Sequence, residues 1–371
     1  MSHNAREQLP SPQSSGKPSG ATRDARMRWA TATGAAILTL GLTPAAQAAE
    51  GALDPTFGVT STSPLACKVE GGIGIMTCDF ADLRDAFFGG MILPDGRILG
   101  GGVVTVIRND TVDTDLAVAR FNGVDGRLDT AFGVGGPDGR NGIETTDVPT
   151  SVDEVRDLAL QDDDGQKKIV VVGRGPVGQS RTFAVARYTE DGKLDAGFAD
   201  QGIATASFPA GIPAGGENPA SAVAVQPADQ KIVVGFRSAL GNSSGVRDFV
   251  LARFTPDGQL DPEFDGDGFV VTDFPDNQLE RVEAVLVQPD GKIVAGGRAG
   301  PTDTALADRI DFALVRYNPD GSLDNGFGTN GRVRTDFGLR RIEGVVDLVL
   351  QPDDKIVAGG TSGLRHRAEI T

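Results

Sequence analysis

The chain has 371 residues, with 35 Lys+Arg against 51 Asp+Glu and a formal net charge of −16. So acidic a molecule repels phosphate backbones and anionic lipid surfaces, which argues against nucleic acid as a partner and against membrane insertion of the mature chain. The length exceeds one small domain and fits either two domains or one repeat array.

The N-terminus comes first. Residues 1–22 are polar and lack apolar periodicity, as in a disordered leader, or an artefact if translation begins at Met27. Arg23, Arg26 and Arg28 then precede the apolar run "TGAAILTLGL" (33–42), and "TPAAQA" supplies small residues at Ala46 and Ala48. A positive region, a short apolar run and an A-x-A site describe a secretory signal peptide cleaved between Ala48 and Ala49. The run is about half the ~20 residues that span a bilayer. Residues 1–48 are therefore read as leader plus signal peptide, and 49–371 as the mature, secreted or cell-surface chain. The mature part holds 30 Lys+Arg against 49 Asp+Glu. Its two cysteines, Cys67 and Cys78, are expected to form a disulfide, as nearby pairs in exported proteins do. That disulfide would staple an insertion in the first repeat.

From here three phrases recur in fixed order. The first resembles QPDGKIVAGG and is anchored on Ile98, Ile169, Ile232, Ile293 and Ile356, at spacings of 71, 63, 61 and 63. The second is "LAVARF" (116–121), "FAVARY" (183–188), "FVLARF" (249–254) and "FALVRY" (312–317). The third, Leu-Asp-x-x-Phe, stands at 53–57, 128–132, 194–198, 260–264 and 323–327. The second phrase is apolar on both alternating faces, the pattern of a strand buried between stacked sheets. Asp-Gly pairs at 125–126, 191–192, 257–258 and 320–321 make tight turns, because glycine tolerates positive φ. A further segment, such as "GRVRTDF" (331–337), adds a fourth strand. Four short strands per period of about 63, with no convincing helix pattern, predict an all-β propeller of about five four-stranded blades.

These phrases resemble the delta-60 repeat, a bacterial repeat family of exported proteins in the β-propeller class. The resemblance covers nearly all of 52–360. It implies a propeller fold and a surface or secreted setting, and it carries no catalytic residues across. The fifth second-phrase strand is missing, since only "TSGLRHRAEIT" follows Gly360. The last blade is expected to be short of a strand or to use "RAEIT" poorly, while the isolated "LDPTFG" (53–58) could help close the ring.

Candidate chemistry is sparse. Arg120, Arg187, Arg253 and Arg316 each precede an Asp by eight or nine residues (Asp129, Asp195, Asp261, Asp324), and these are expected to be structural ion pairs. "DGDG" (265–268) suggests calcium but fails the EF-hand pattern, because the twelfth position is Thr272. "GRGPVG" (173–178) precedes no helix to aim at phosphate. His366 is the one histidine beyond the leader, which leaves no His-based triad or zinc site. No metal, cofactor or catalytic residue is assigned. The leading expectation is an exported, non-catalytic module that binds a protein or glycan partner. The alternative is a polysaccharide-acting hydrolase or lyase with carboxylates in the central channel. Any ligand is expected on the face receiving the connections that differ in every repeat (103–115, 174–182, 237–248, 298–311 and 209–219). Arg237, Arg247 and Arg298 are its expected polar contacts.

Overall fold

The computed structural model describes residues 86–108, 111–133, 142–148, 154–174, 182–208, 220–237, 248–274, 279–301, 310–338 and 341–364. It also describes the backbone of four short strands: β1 (Arg26–Arg28), β2 (Leu38–Thr39), β3 (Cys67–Val69) and β4 (Ile75–Cys78). No helix occurs among the described residues, and so none that could cross a membrane.

Four complete blades follow. Blade 1 holds β5 (Ala86–Ile92), β6 (Ile98–Arg108), β7 (Thr111–Phe121) and β8 (Ile143–Thr146). Blade 2 holds β9 (Glu154–Asp163), β10 (Gln166–Arg174), β11 (Thr182–Thr189) and β12 (Ile203–Ser207). Blade 3 holds β13 (Ala220–Val225), β14 (Ile232–Phe236), β15 (Phe249–Phe254) and β16 (Phe269–Thr272). Blade 4 holds β17 (Leu279–Val287), β18 (Ile293–Gly300), β19 (Asp311–Tyr317) and β20 (Arg332–Thr335). Among the described residues blade 5 is a hairpin of β21 (Arg341–Leu350) and β22 (Ile356–Leu364). Each blade is an antiparallel meander, and successive first strands (β5, β9, β13, β17, β21) lie side by side around the axis.

The core lies between blades. The second strand's anchor isoleucine packs backward and the residue after it packs forward. Ile232 thus joins a cluster with blade 2, while Val233 joins one with blade 4. All six residues of the blade 3 strand Phe249–Phe254 are buried. In blade 4 the Phe312, Leu314 and Arg316 face is only half-buried, because the hairpin of blade 5 covers it incompletely. Two buried cross-blade hydrogen bonds add to this packing: the Tyr188 hydroxyl to Thr146 Oγ1 at 2.7 Å, and the Tyr317 hydroxyl to Thr272 Oγ1 at 2.8 Å.

One predicted connection is structured instead. Residues 103–115, read above as a variable loop, continue β6 and β7 in register from Val103↔Leu116 to Arg108↔Thr111. Alternating β-branched residues sustain the ladder, and Ile107 and Val112 stand exposed on it. Near the N-terminus, β1 pairs with the inner edge of β5 and β2 pairs with β4. Both β1 and β2 fall in the segment assigned above to the leader and signal peptide, so cleavage after Ala48 would remove them. Strands β3 and β4 place Cys67 directly opposite Cys78. The usual Cα separation of such a pair, about 4.5–5.5 Å, lies within a disulfide's span. The side chains of both cysteines, "LDPTFG" (53–58) and "RAEIT" (367–371) lie outside the described residues.

Candidate binding site at the funnel mouth

The two ends of the propeller are built differently. At one end lie the first and third connections of the four complete blades, and there the four predicted Arg–Asp pairs form. Arg120, Arg187 and Arg316 place Nε 2.8 Å from Asp129, Asp195 and Asp324, and Arg253 lies 2.6 Å from Asp261. Each guanidinium also covers the Phe of its own Leu-Asp-x-x-Phe motif, for example Arg253 over Phe264 at 4.6 Å. A second cation from the first phrase joins each Asp: Arg97, Lys168, Lys231 and Lys292, at 3.0–3.3 Å. The Arg side chains then reach the next blade, as Arg187 does in donating to the Pro256 carbonyl at 2.9 Å. Burial works to raise the carboxyls of Asp129, Asp195 and Asp261, but the donors and cations around them hold all three below the usual value. The hydrogen bond from Lys292 lowers Asp324. This end is a repeated clamp.

The opposite end carries the variation. Every first strand has a β-bulge at one and the same position, five residues before the residue that opens the turn phrase. The bulged residues are Phe88, Arg156, Ser221, Glu283 and Val346. A bulge re-aims its side chain out of the sheet alternation, and all five converge on one cavity of about 240 Å³ around the axis. In four of the blades a glycine four residues after the anchor isoleucine faces the bulged segment. A Cβ on Gly102, Gly173, Gly297 or Gly360 would stand 1.8–2.0 Å from the carbonyl oxygen of the facing strand. Blade 3 has Phe236 there instead, its ring centroid 4.5 Å from that of Phe183.

The residue after this glycine lies at the cavity wall too, and here Arg237, Arg298 and Thr361 contribute, with Arg281 from the start of β17. Arg237 donates through Nε to Glu283 Oε2 at 2.7 Å. Arg281 Nε lies 2.5 Å from Glu283 Oε1, and Arg298 Nη2 lies 3.7 Å from the same oxygen. Three guanidiniums thus share one buried carboxylate. On the far wall Arg156 pairs with Glu154 and stacks over Phe88 at 4.7 Å. The Ser221 hydroxyl donates to the Val282 carbonyl at 2.7 Å, joining blades 3 and 4. Two of the three predicted contacts, Arg237 and Arg298, are therefore brought together, and Arg247 lies outside the described residues. Sequence reasoning missed Arg156, Arg281 and Glu283. The signal for Arg156 and Glu283 was a charged residue five positions before the turn phrase, and Arg281 carried none of this kind.

Carboxylates gather elsewhere, within blade 1 (Asp113, Asp115 and Asp147) and at two blade junctions (Asp248, Asp273 and Glu280; Asp311, Asp336 and Glu343). Within each group the ligand atoms lie within 4.8 Å, so they could offer oxygens to a hard cation. Burial pushes Glu280 up to about 9, against the pull of the Phe274 N–H on its carboxylate. Burial and the charge of Asp273 raise Asp248, and burial raises Asp311 despite its contact with Arg334. The "DGDG" segment is a turn, with Asp265, Gly266 and Gly268 at positive φ and Asp267 accepting the Phe269 N–H.

Four-stranded antiparallel blades around an axis, tied by a repeated clamp, define a β-propeller repeat protein. Residues 93–132, 167–198, 228–264 and 288–327 match the family model described as "Domain of unknown function (DUF5122) beta-propeller". Among solved structures the chain is similar to the extracellular domain of a hybrid two component system from B. thetaiotaomicron, with TM-score 0.33 and 11% identity over 80% of this chain and 31% of that one. It is also similar to an ulvan lyase of polysaccharide lyase family PL25, with TM-score 0.37 and 12% identity over 75% of this chain and 66% of that one. The chain thus spans less than two thirds of the length of either. No curated protein matches it.

Proposed function

We propose that this protein is an exported recognition module of the delta-60 type, acting without chemistry, that binds a glycan or protein partner at the funnel mouth. One observation carries the reading. Five bulges of the same backbone design deliver five different side chains, Phe88, Arg156, Ser221, Glu283 and Val346, into one cavity. The opposite end meanwhile repeats one Arg–Asp–Phe clamp in blade after blade. A rigid frame that holds its backbone constant and varies its side chains in a concave site is suited to recognition. The alternative, a polysaccharide-acting hydrolase or lyase, asks for two acids facing each other in the channel. The acid among the cavity's lining residues is Glu283, and it is engaged by three guanidiniums.

The test is a glycan and exported-protein array probed with the wild-type chain and with the Arg281→Ala/Arg298→Ala double variant. A partner captured by the first and lost by the second, with the folded circular dichroism spectrum retained, supports the reading. Capture that survives the double substitution refutes it.

A further inference from the structure

We infer that the funnel mouth takes the carboxylate of a single uronate sugar, held by Arg237, Arg281 and Arg298, which Glu283 gathers around the cavity. The inference rests on the recognition reading above and names its ligand class. Three guanidiniums around one glutamate leave a local charge of +2 in a chain whose formal net charge is −16. One carboxylate has roughly four lone-pair sites, fewer than the donors of the Arg237 and Arg298 guanidiniums alone. Each guanidinium keeps 25–33% of its side chain exposed at the cavity. Glu283 also orders them. Their planar forks are already arranged about one carboxylate, and a second carboxylate on their open side meets donors of the same geometry.

Two further features narrow the ligand. The acidic remainder of the chain repels an extended polyanion, so the site suits one anionic group and not a charged stretch. The cavity lining is also mixed: guanidiniums and Ser221 stand among the apolar Phe88, Val345 and Val346. A volume of about 240 Å³ has room for on the order of eight waters, or one sugar ring. A uronate presents a carboxylate at one edge and apolar C–H faces elsewhere, whereas inorganic phosphate would leave Phe88, Val345 and Val346 wet.

Titration calorimetry on the full chain tests this with glucuronate- and galacturonate-terminated oligosaccharides, their glucose- and galactose-terminated counterparts, inorganic phosphate, and a peptide ending in glutamate. Uronate-terminated chains should bind about tenfold or more tightly than the neutral ones. Arg298→Lys, which keeps the charge but loses the fork, should weaken uronate binding about tenfold, at an unchanged melt. Glu283→Gln, which removes the competing acid, should strengthen it at low salt. Equal binding of neutral and uronate chains overturns the inference, as does preference for phosphate or the peptide. If no uronate binds while an array partner is still lost on Arg281→Ala/Arg298→Ala, the ligand class falls and the recognition reading stands. If the array partner is retained, the recognition reading falls with it.

Discussion

The Arg281 carbonyl oxygen lies 1.9 Å from where a Cβ on Gly297 would stand. The glycine of β18 thus lets the backbone of β17 approach closely beside its bulge, where Glu283 lines the cavity. Gly297→Ala must therefore push the two strands apart, at a cost of about 3 kcal/mol. A Cβ on Gly363 meets nothing within 4 Å, so Gly363→Ala should move stability by less than about 0.5 kcal/mol. Urea melts of the two variants check this, and equal costs would mean that the close approach does not exist in solution.

The contrast between clamp and funnel explains what the sequence makes legible. Strands, turns and Arg–Asp pairs repeat four or five times, and repetition turns a weak local signal into a strong one. Arg253 and Asp261 could be paired on paper because each blade brings its own copy. The bulge positions resist such reading for the opposite reason. Glu283 sits in "RVEAVLV", where simple alternation puts it with Val285 and Val287, and the extra residue of the bulge shifts every neighbour before it. Residues 103–115 fail differently. They differ from their counterparts and so look like a loop, yet Val103, Val104, Val106 and Val112 have the β-propensity to extend a hairpin.

The clamps should not be equal in strength. Arg253 and Asp261 keep 4% and 2% of their side chains exposed, whereas Arg316 and Asp324 keep 20% and 13%. Removing one partner of a buried pair leaves the other charge without compensation. Asp261→Asn should cost about 3 kcal/mol, and Asp324→Asn clearly less. Chemical denaturation of both variants decides the order. A larger loss at Asp324 would mean that blade 5 is more fully built than its described strands.

Glu280 predicts an unusual pH dependence. Burial raises its carboxyl from an ordinary 4.5 to about 9, so the folded chain binds this proton more tightly than the unfolded chain does. The stability it contributes is full below about pH 4.5 and is lost as pH rises toward 9. The clamp aspartates act in the other direction, since their lowered carboxyls add stability above pH 3.8 that is lost on acidification. Thermal melts from pH 5 to 9 should decline for the wild type and decline less for Glu280→Gln. Parallel pH profiles would show that Glu280 ionises normally.

Cys67 and Cys78 stand opposite each other on β3 and β4, and their bond would close a short loop worth on the order of 3 kcal/mol. Thiol titration of the unfolded, unreduced protein should find no free thiol, and reduction should lower the melting temperature. Two reactive thiols before reduction would remove the staple.

The last blade offers a test of how the ring ends. Val170, Val233, Val294 and Val357 occupy one position, directly after the anchor isoleucine, and the first three face the following blade. The first three are fully buried at 0% exposure, while Val357 is 46% exposed and its cross-strand partner Val349 is 49% exposed. Replacing a buried valine by threonine keeps the shape but puts a hydroxyl against apolar neighbours, at a cost of about 1–3 kcal/mol. Val294→Thr should show that cost, and Val357→Thr should show almost none. The pair of melts therefore reads the environment of blade 5 directly, because one chemical change is made at two equivalent positions and only the covering differs. A cost at Val357 equal to that at Val294 would mean that this face is covered in solution and that the propeller closes over its fifth blade.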